Sequence, residues 1–223
     1  MVTRRPKKPT NPAGRPPGRP KGSAEENFQE RRLEILRTAA RAFTARGFHA
    51  TSLNDLAALL DVTKPSIYYY VQSKDELLFE CGRLALERLT EAMKRAVTRD
   101  ENALERLRAF FLNYAEIICD DFGRCLVLTD PQWLEPDNRK LNVHGRRELT
   151  QEVQSIIAKG ISEGSIRPCN PRIAAFMLFS AFNGIARWYR PDGGMKPAEL
   201  ARETLNLLIN GLGAAKTVEA ELV

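Results

Sequence analysis

The residues from Lys64 to Tyr70 bring together side chains that can bind a polyanion. A lysine ammonium attracts phosphate, a serine hydroxyl donates and accepts hydrogen bonds, and a tyrosine joins an apolar ring to a polar tip. Successive residues of a helix point 100° apart, so Tyr68, Tyr69 and Tyr70 cannot all face a core. At least one of these rings must therefore meet solvent or a partner.

Helix signals on both sides of this run predict how it is positioned. An apolar spacing of three and four residues predicts a two-turn helix before it, and a break follows at Asp61 and Val62. Pro65 lies in the first turn of the next helix, where no amide proton is needed. The predicted helix starts carry capping residues, namely Ser52 with Asp55, Thr63, and Ser73 with Glu76. Two short helices joined by a tight turn form the helix-turn-helix pattern.

Residues 31–78 resemble the DNA-binding domain of the tetracycline-repressor (TetR) family of bacterial transcription regulators. The matching pieces are Ile35-Leu36 to Phe43, Gly47-Phe48, Thr51-Ser52, Leu56-Ala57, Val62-Thr63-Lys64, Ile67 to Val71 and Ser73 to Leu77. Asp61 departs from the pattern, because the family usually has glycine in the turn. Aspartate tolerates the left-handed conformation better than most residues, so we expect the turn to survive.

The resemblance implies a homodimer that binds double-stranded operator DNA, and it assigns roles to residues of this chain. Some side chains would reach base edges and nearby phosphates: Lys64, Ser66, Tyr68 and Tyr69. Others would fix the register on the DNA backbone: Thr51, Tyr70 and Lys74. Ser52, Thr63 and Pro65 complete the DNA-binding set predicted on this domain.

The N-terminal segment, residues 1–24, holds most of the excess charge. It contains six of the thirteen prolines, seven Lys and Arg residues and no acid, so the net charge of +6 leaves −1 for residues 25–223. We expect a disordered basic arm. Two Gly-Arg-Pro units, centred on Arg15 and Arg19, resemble AT-hook peptides, which lie in the minor groove of A·T-rich DNA. Both arginines are therefore predicted to contact DNA; the alternative is a solubilising basic tail.

Helical periodicity continues through the rest of the chain, and no strand pattern occurs. The predicted helices are 27–46, Lys74 to about Val97, 103–120, a short piece Cys125–Leu128, 138–163, 171–189 and 197–212. The sequence therefore predicts an all-α fold with an N-terminal helix-turn-helix domain and a C-terminal ligand-binding and dimerisation domain. The predicted division is an arm over 1–24, a DNA-binding domain over 25–78, a second domain over 79–215 and a tail over 216–223.

The last two predicted helices favour dimerisation. The helix over 171–189 is apolar on nearly every side and must be covered on every side. We expect it to pair, together with 197–212, with the same helices of a second chain in a twofold four-helix interface. Two recognition helices would then meet major grooves about one turn apart on a near-palindromic site. The alternative is a monomer whose penultimate helix is simply central.

Catalytic, metal and membrane signals are absent from the sequence. It has no P-loop, dinucleotide fingerprint, Gly-x-Ser-x-Gly or His-Glu-x-x-His motif, so we predict neither an enzyme nor a cofactor. The four cysteines lack metal-ligand spacing, which predicts no metal site and favours reduced thiols in the cytoplasm. No apolar run approaches the ~20 residues of a membrane span.

Aromatic residues are numerous in the second domain, and a mostly apolar pocket between bundle helices is a common ligand site. The residues predicted to bind a ligand are Phe110, Tyr114, Trp133, Phe176, Phe179, Asn183, Arg187 and Trp188. The run from Phe182 to Gly193 resembles the C-terminal signature of a TetR subgroup that senses acyl-coenzyme A thioesters. On that resemblance the acyl part would lie among the aromatics, and Arg187 or Arg190 would meet the phosphates.

These observations predict a ligand-responsive repressor, released from its operator by a small-molecule effector such as an acyl-CoA thioester. Three alternatives stay open. An efflux regulator would respond to an uncharged hydrophobic compound, a nucleoid-type architectural protein would show no operator preference, and a helical binding or transport protein would not bind DNA.

Overall fold

A computed structural model describes residues 24–212 of the chain. The predictions of a disordered arm, of DNA contacts by Arg15 and Arg19, and of a tail over 216–223 lie outside the described residues. Within them the chain forms nine α-helices and one 3₁₀ turn, and no strand. The predicted all-α fold is confirmed.

The helices follow one another with short connections. In chain order they are α1 Ala24–Arg46, α2 Leu53–Leu59, α3 Lys64–Tyr68, α4 Lys74–Val97, α5 Ala103–Ile118, α6 Asp121–Leu128, α7 Pro136–Ser162, α8 Pro171–Trp188 and α9 Pro197–Asn210. The 3₁₀ turn, Pro131–Trp133, lies between α6 and α7. α4 has the predicted bounds, whereas the ends of several other helices differ from the predicted ones.

Local capping explains most of these differences. α1 begins at Ala24, three residues before the predicted start and inside the span assigned to the arm. The apolar piece Cys125–Leu128 is the second half of α6, because the Asp120 side chain accepts from the Gly123 amide and starts the helix earlier. Pro136 belongs to the first turn of α7, so this helix begins two residues before the predicted start.

The helix-turn-helix folds around the predicted local signals. Ser52 and Asp55 form the predicted capping box, with the Asp55 amide donating to Ser52 Oγ at 3.2 Å and the Ser52 amide donating to Asp55 Oδ2 at 2.7 Å. Asp61 adopts the left-handed conformation at φ 52°. The second capping box differs, because the Glu76 carboxylate accepts from the Gln72 amide instead of that of Ser73.

α4 belongs to both halves of the molecule. Its N-terminal turns pack Leu77 and Cys81 against the core of α1, and its C-terminal turns bury Leu89, Ala92 and Met93 among the helices that follow. Buried side chains from α1 to α9 therefore join in one continuous core. No helix within residues 24–212 combines the length and apolar character needed to span a membrane.

Candidate DNA-binding surface and effector site

α3 presents the predicted DNA-contact side chains to solvent. Ile67 alone is buried from this helix, which packs against α2. Tyr68 and Tyr69 leave 48% and 73% of their surface exposed. The Lys64 ammonium lies 5.8 Å from the centre of the Tyr68 ring, so a cation and two phenols share one surface.

The start of α3 also carries free polar groups. Thr63 is the N-cap residue by backbone geometry, but its hydroxyl makes no cap bond. It instead shares a hydrogen bond of 2.9 Å with Ser66 Oγ, and both side chains are exposed beside Pro65. These hydroxyls can exchange their mutual bond for contacts to phosphate or a base edge.

Thr51 and Lys74 make hydrogen bonds within the fold, and their contacts to the DNA backbone stay a prediction. The Thr51 side chain is buried, and its hydroxyl donates to the Gly47 carbonyl at 2.9 Å. Lys74 Nζ donates to the carbonyls of Phe48 and Thr51, and it lies 4.2 Å from the centre of the Phe48 ring. Because their polar atoms donate to carbonyls of the turn between α1 and α2, both residues stabilise the backbone that leads into α2. The apolar periodicity of the sequence does not predict these hydrogen bonds to the turn.

Replacing Thr51 with valine tests this structural role. We expect the free energy of unfolding to fall by about 1–2 kcal/mol, since buried carbonyls lose a donor. Operator affinity should stay the same. Chemical denaturation and DNA titration measure the two quantities.

Thr63→Val is the matched control for that replacement. It removes an exposed hydroxyl, so we expect a stability change within about 0.5 kcal/mol and weaker operator binding. If the T51V protein has normal stability but binds its operator poorly, the result would support the predicted contact of Thr51 with the DNA backbone.

Tyr70 joins α3 to the beginning of α1. Its ring stacks on Phe28 with centroids 4.9 Å apart, while Tyr69 meets the same Phe28 ring edge-on at 5.6 Å. Tyr70 is partly buried by this contact, so it presents less of its ring than the two preceding tyrosines. The start of α1 therefore lies beside the predicted DNA-binding surface.

In the second domain, four of the eight predicted ligand residues come together. Phe110, Tyr114 and Phe179 form an aromatic cluster with ring centroids 5.3–6.5 Å apart. The Tyr114 hydroxyl donates to Asn183 Oδ1 at 2.7 Å, which satisfies the amide oxygen on an otherwise apolar helix. Burial raises the pKa of Tyr114, so the hydroxyl stays protonated and donates.

The other four predicted ligand residues lie elsewhere. Phe176, Arg187 and Trp188 are exposed on α8. Phe176 and Arg187 lie eleven residues apart, which places them on one stripe of the helix, and Trp188 is its last residue. Trp133 packs against the DNA-binding domain, with its ring centroid 6.0 Å from that of Phe48 and 5.4 Å from that of His49. The composition shows only that aromatic residues are numerous. The direction of each side chain on its helix and the packing of the helices decide which rings share a site.

Trp133 lies in a junction that joins the two halves. Asp75, in the first turn of α4, accepts from the Glu135 amide at 2.7 Å and from Asn138 Nδ2 at 2.5 Å. The segment that carries Trp133 is therefore hydrogen-bonded to the same turn of α4 from which Lys74 reaches the Phe48 carbonyl.

Arg146 is a polar group inside the second domain that the sequence prediction missed. Its Nε donates to Asn142 Oδ1 at 2.8 Å and its Nη2 donates to the Leu126 carbonyl at 2.5 Å, with no ion pair to it among residues 24–212. Burial lowers the pKa of Arg146. A signal existed, because the buried stripe of α7 that includes Leu149 and Val153 extends backwards at helical spacing to Arg146 and Asn142.

A separate apolar cavity of about 590 Å³ lies between α5, α7, α8 and α9. It is lined by Leu104, Leu107, Ile157, Ile166, Met177, Leu178 and Leu208 among others, with Arg167 and Asn170 also in its wall. None of the eight predicted ligand residues lines it. In the part of the chain that the structure describes, no group of three or more His, Cys, Asp or Glu side chains could hold a metal ion.

The fold and these surfaces define a class of protein: a helix-turn-helix domain joined through a long helix to a second helical domain. Two family models match the chain accordingly. "Bacterial regulatory proteins, tetR family" matches residues 35–81, and "Tetracyclin repressor-like, C-terminal domain" matches residues 100–212, about half of the chain. The chain belongs to the TetR family of DNA-binding transcription regulators.

Similar proteins extend over most of the chain. The HTH-type transcriptional repressor KstR2 of Mycobacterium tuberculosis is 27% identical over 185 residues, which cover 82% of this chain and 92% of the relative. The crystal structure of the TetR family regulator PfmR from Thermus thermophilus is 32% identical, with a TM-score of 0.74 over 81% of this chain and 99% of that one. AibR in complex with isovaleryl coenzyme A and operator DNA shares the fold at 24% identity, with a TM-score of 0.72 over 80% and 98% of the two chains.

Proposed function

We propose that this protein is a homodimeric transcriptional repressor that leaves a near-palindromic operator when a small-molecule effector binds its sensor domain. The observation that carries the proposal is the exposure of Lys64, Tyr68 and Tyr69 on a short helix held from behind by Ile67. Such a helix can enter a major groove and reach base edges. KstR2, a relative over most of the chain, is named a transcriptional repressor. We place its action in the cytoplasm, where bacterial DNA lies.

Dimerisation is supported by the outer face of α8. Ile173, Phe176, Met177 and Trp188 are large apolar residues exposed on this helix, and Leu207 is exposed on α9. A second copy packed against α8 and α9 by a twofold axis would remove this apolar surface from water. The same axis would set two copies of α3 about one helical turn apart on DNA.

For the effector we propose an acyl-CoA thioester. The Tyr114–Asn183 pair and the Arg146–Asn142 pair are polar groups enclosed within an apolar domain, and each can turn a donor towards a thioester carbonyl. The acyl chain would pack among the Phe110 and Phe179 rings. Arg187 and Arg190 are exposed and could meet the phosphates. The shared fold of AibR accommodates isovaleryl coenzyme A and operator DNA.

A second candidate is an uncharged hydrophobic effector, as an efflux regulator would sense. The apolar cavity of about 590 Å³ favours it, because aliphatic side chains dominate the lining and give few polar groups to orient a ligand.

In either case the junction around Trp133 and Asp75 would transmit the signal. It holds the sensor domain to the turn that supports α3. An effector favours release only by the difference between its affinities for the two states.

Selection of bound fragments from genomic DNA tests the function. We expect the full chain to enrich a near-palindromic sequence, and an acyl-CoA mixture to release it while coenzyme A alone does not. Enrichment without a common sequence would support an architectural protein, and no enrichment would reject DNA binding. Release by free hydrophobic compounds but not by thioesters would favour the second effector.

A further inference from the structure

We infer that the apolar cavity between α5, α7, α8 and α9 binds an amphiphile with one free carboxylate, such as a fatty acid, and that Arg167 pairs with that carboxylate. This site and this ligand class go beyond the proposed function. The cavity is separate from the Tyr114–Asn183 pair, and an acyl-CoA thioester and an uncharged compound both lack a free carboxylate.

The cavity has the size and the walls of a site for an apolar chain. Its volume is about 590 Å³, which lies within the roughly 300–1,000 Å³ of small-molecule sites. Every side chain that the four helices contribute to its lining is apolar, for example Leu107 from α5 and Leu208 from α9. Since protein interiors seldom contain voids larger than a water molecule, an apolar space of this size can hold a ligand.

The polar residues of the lining lie together at one end of the cavity. They all belong to the segment between α7 and α8, namely Ser165, Arg167, Cys169 and Asn170. Two of them already have partners. Ser165 Oγ donates to Glu163 Oε1 at 2.8 Å, and Asn170 Oδ1 accepts from the first amides of α8. A ligand in this cavity would therefore meet an apolar body and a single polar end.

Arg167 supplies the positive charge at that end. It is exposed, and within residues 24–212 its guanidinium has no hydrogen bond or ion pair and shares the lining with no acidic side chain. A guanidinium offers two parallel N–H donors that match the two oxygens of a carboxylate. The N-terminus of α8 lies at the same end, because its N-cap Asn170 is part of the lining, and the positive end of the helix dipole favours an anion.

The backbone between α7 and α8 holds Arg167 in this position. Gly164 adopts φ 81°, which lets the chain turn back after α7. The Ile166 amide then donates to the Gly160 carbonyl at 2.9 Å. The Ile166 side chain lies so close to Gly160 that a Cβ added there would be 2.5 Å from Ile166 Cδ1. Ile166 is thereby fixed in the cavity wall, and Arg167, the next residue, stands at the rim.

Calorimetric titration of the full chain with dodecanoate and with dodecanol, in the absence of DNA, tests the site. The two ligands share an apolar chain and differ in charge, so we expect dodecanoate to bind and dodecanol to bind more weakly. Arg167→Gln should lower the affinity for dodecanoate by about tenfold or more and leave that for dodecanol unchanged. Because Arg167 is exposed, this variant keeps the fold.

Arg172→Gln is the matched control for charge. Arg172 is also exposed, but it lies outside the lining, with its guanidinium 5.7 Å from the centre of the Phe176 ring. We expect it to change the affinity for dodecanoate by no more than about twofold. Ala174→Phe tests the location, because a ring at this lining position would occupy the space of the chain and abolish binding of both ligands. Leu104→Phe, on the α5 wall, serves the same purpose if Ala174→Phe does not fold.

Equal affinities of the unmodified protein for the two ligands, or equal losses in the two arginine variants, would overturn the inference. Dodecanoate binding that survives the cavity-filling replacement would overturn it as well. If neither ligand binds, the inference is wrong and side chains of the second copy fill the cavity. Since the titration uses no DNA, these failures leave the proposed repressor untouched, and a chain that selects no operator would refute the proposed function while leaving the carboxylate site in place.

Discussion

Replacing Met177 with glutamate is expected to convert the dimer into monomers. Met177, which also lines the apolar cavity, is 59% exposed in one protomer and follows the exposed Phe176 on α8. A carboxylate at the centre of an apolar interface would lose its hydration without gaining a partner, which costs several kcal/mol. Because a monomer engages one half-site only, operator affinity should fall by about 100-fold or more. Sedimentation equilibrium and titration of the full operator measure the two effects.

Leu141→Glu is the matched control for that replacement. Leu141 is also 59% exposed, but it lies on α7, away from the proposed interface. We expect it to leave the dimer and its operator affinity intact. If Met177→Glu also remains dimeric with full affinity, the twofold axis does not pass through the outer face of α8.

Replacing Tyr68 with alanine is expected to remove sequence reading while leaving non-specific binding nearly unchanged. The Tyr68 ring stands beside the Lys64 ammonium on the exposed surface of α3, where it can meet base edges. A base contact contributes about 1–3 kcal/mol of discrimination, and a dimer makes each contact twice. We expect operator affinity to fall by about 100-fold. Titrations of operator and of a scrambled duplex at equal salt provide the comparison.

The matched control is Leu59→Ala, which truncates a side chain on α2 that is 53% exposed, similar to Tyr68. It should change neither titration. Equal losses of Tyr68→Ala on operator and scrambled DNA would assign Tyr68 to the phosphate backbone instead of the bases.

The helix-turn-helix was predictable because its signals are local. A capping box joins residues three apart, a proline fits one position of a first turn, and an aspartate tolerates positive φ. Ser52, Asp55, Asp61 and Pro65 therefore specify their part of the backbone before any tertiary contact forms. Exposure of the tyrosines also followed from helical geometry alone.

The effector site was less predictable, because a pocket is made by residues that are distant in sequence. Tyr114 and Asn183 meet across 69 positions, and Arg146 reaches a carbonyl 20 positions away. The composition showed that aromatic residues are numerous. It could not show which of them lie in the core, which at the junction around Trp133 and which on the outer face of α8. Trp133 shows this most clearly, since its ring packs on Phe48 of the DNA-binding domain.

The sequence by itself determined the all-α class, the recognition helix and the family, since short-range spacing and capping encode them. Only the tertiary structure decided which side chains pack and hydrogen-bond around that helix. Thr51 and Lys74 also donate hydrogen bonds within the fold, because backbone carbonyls of the turn before α2 need donors. It also placed the start of α1 beside Tyr69 and Tyr70, through a contact of Phe28 that no local pattern specifies.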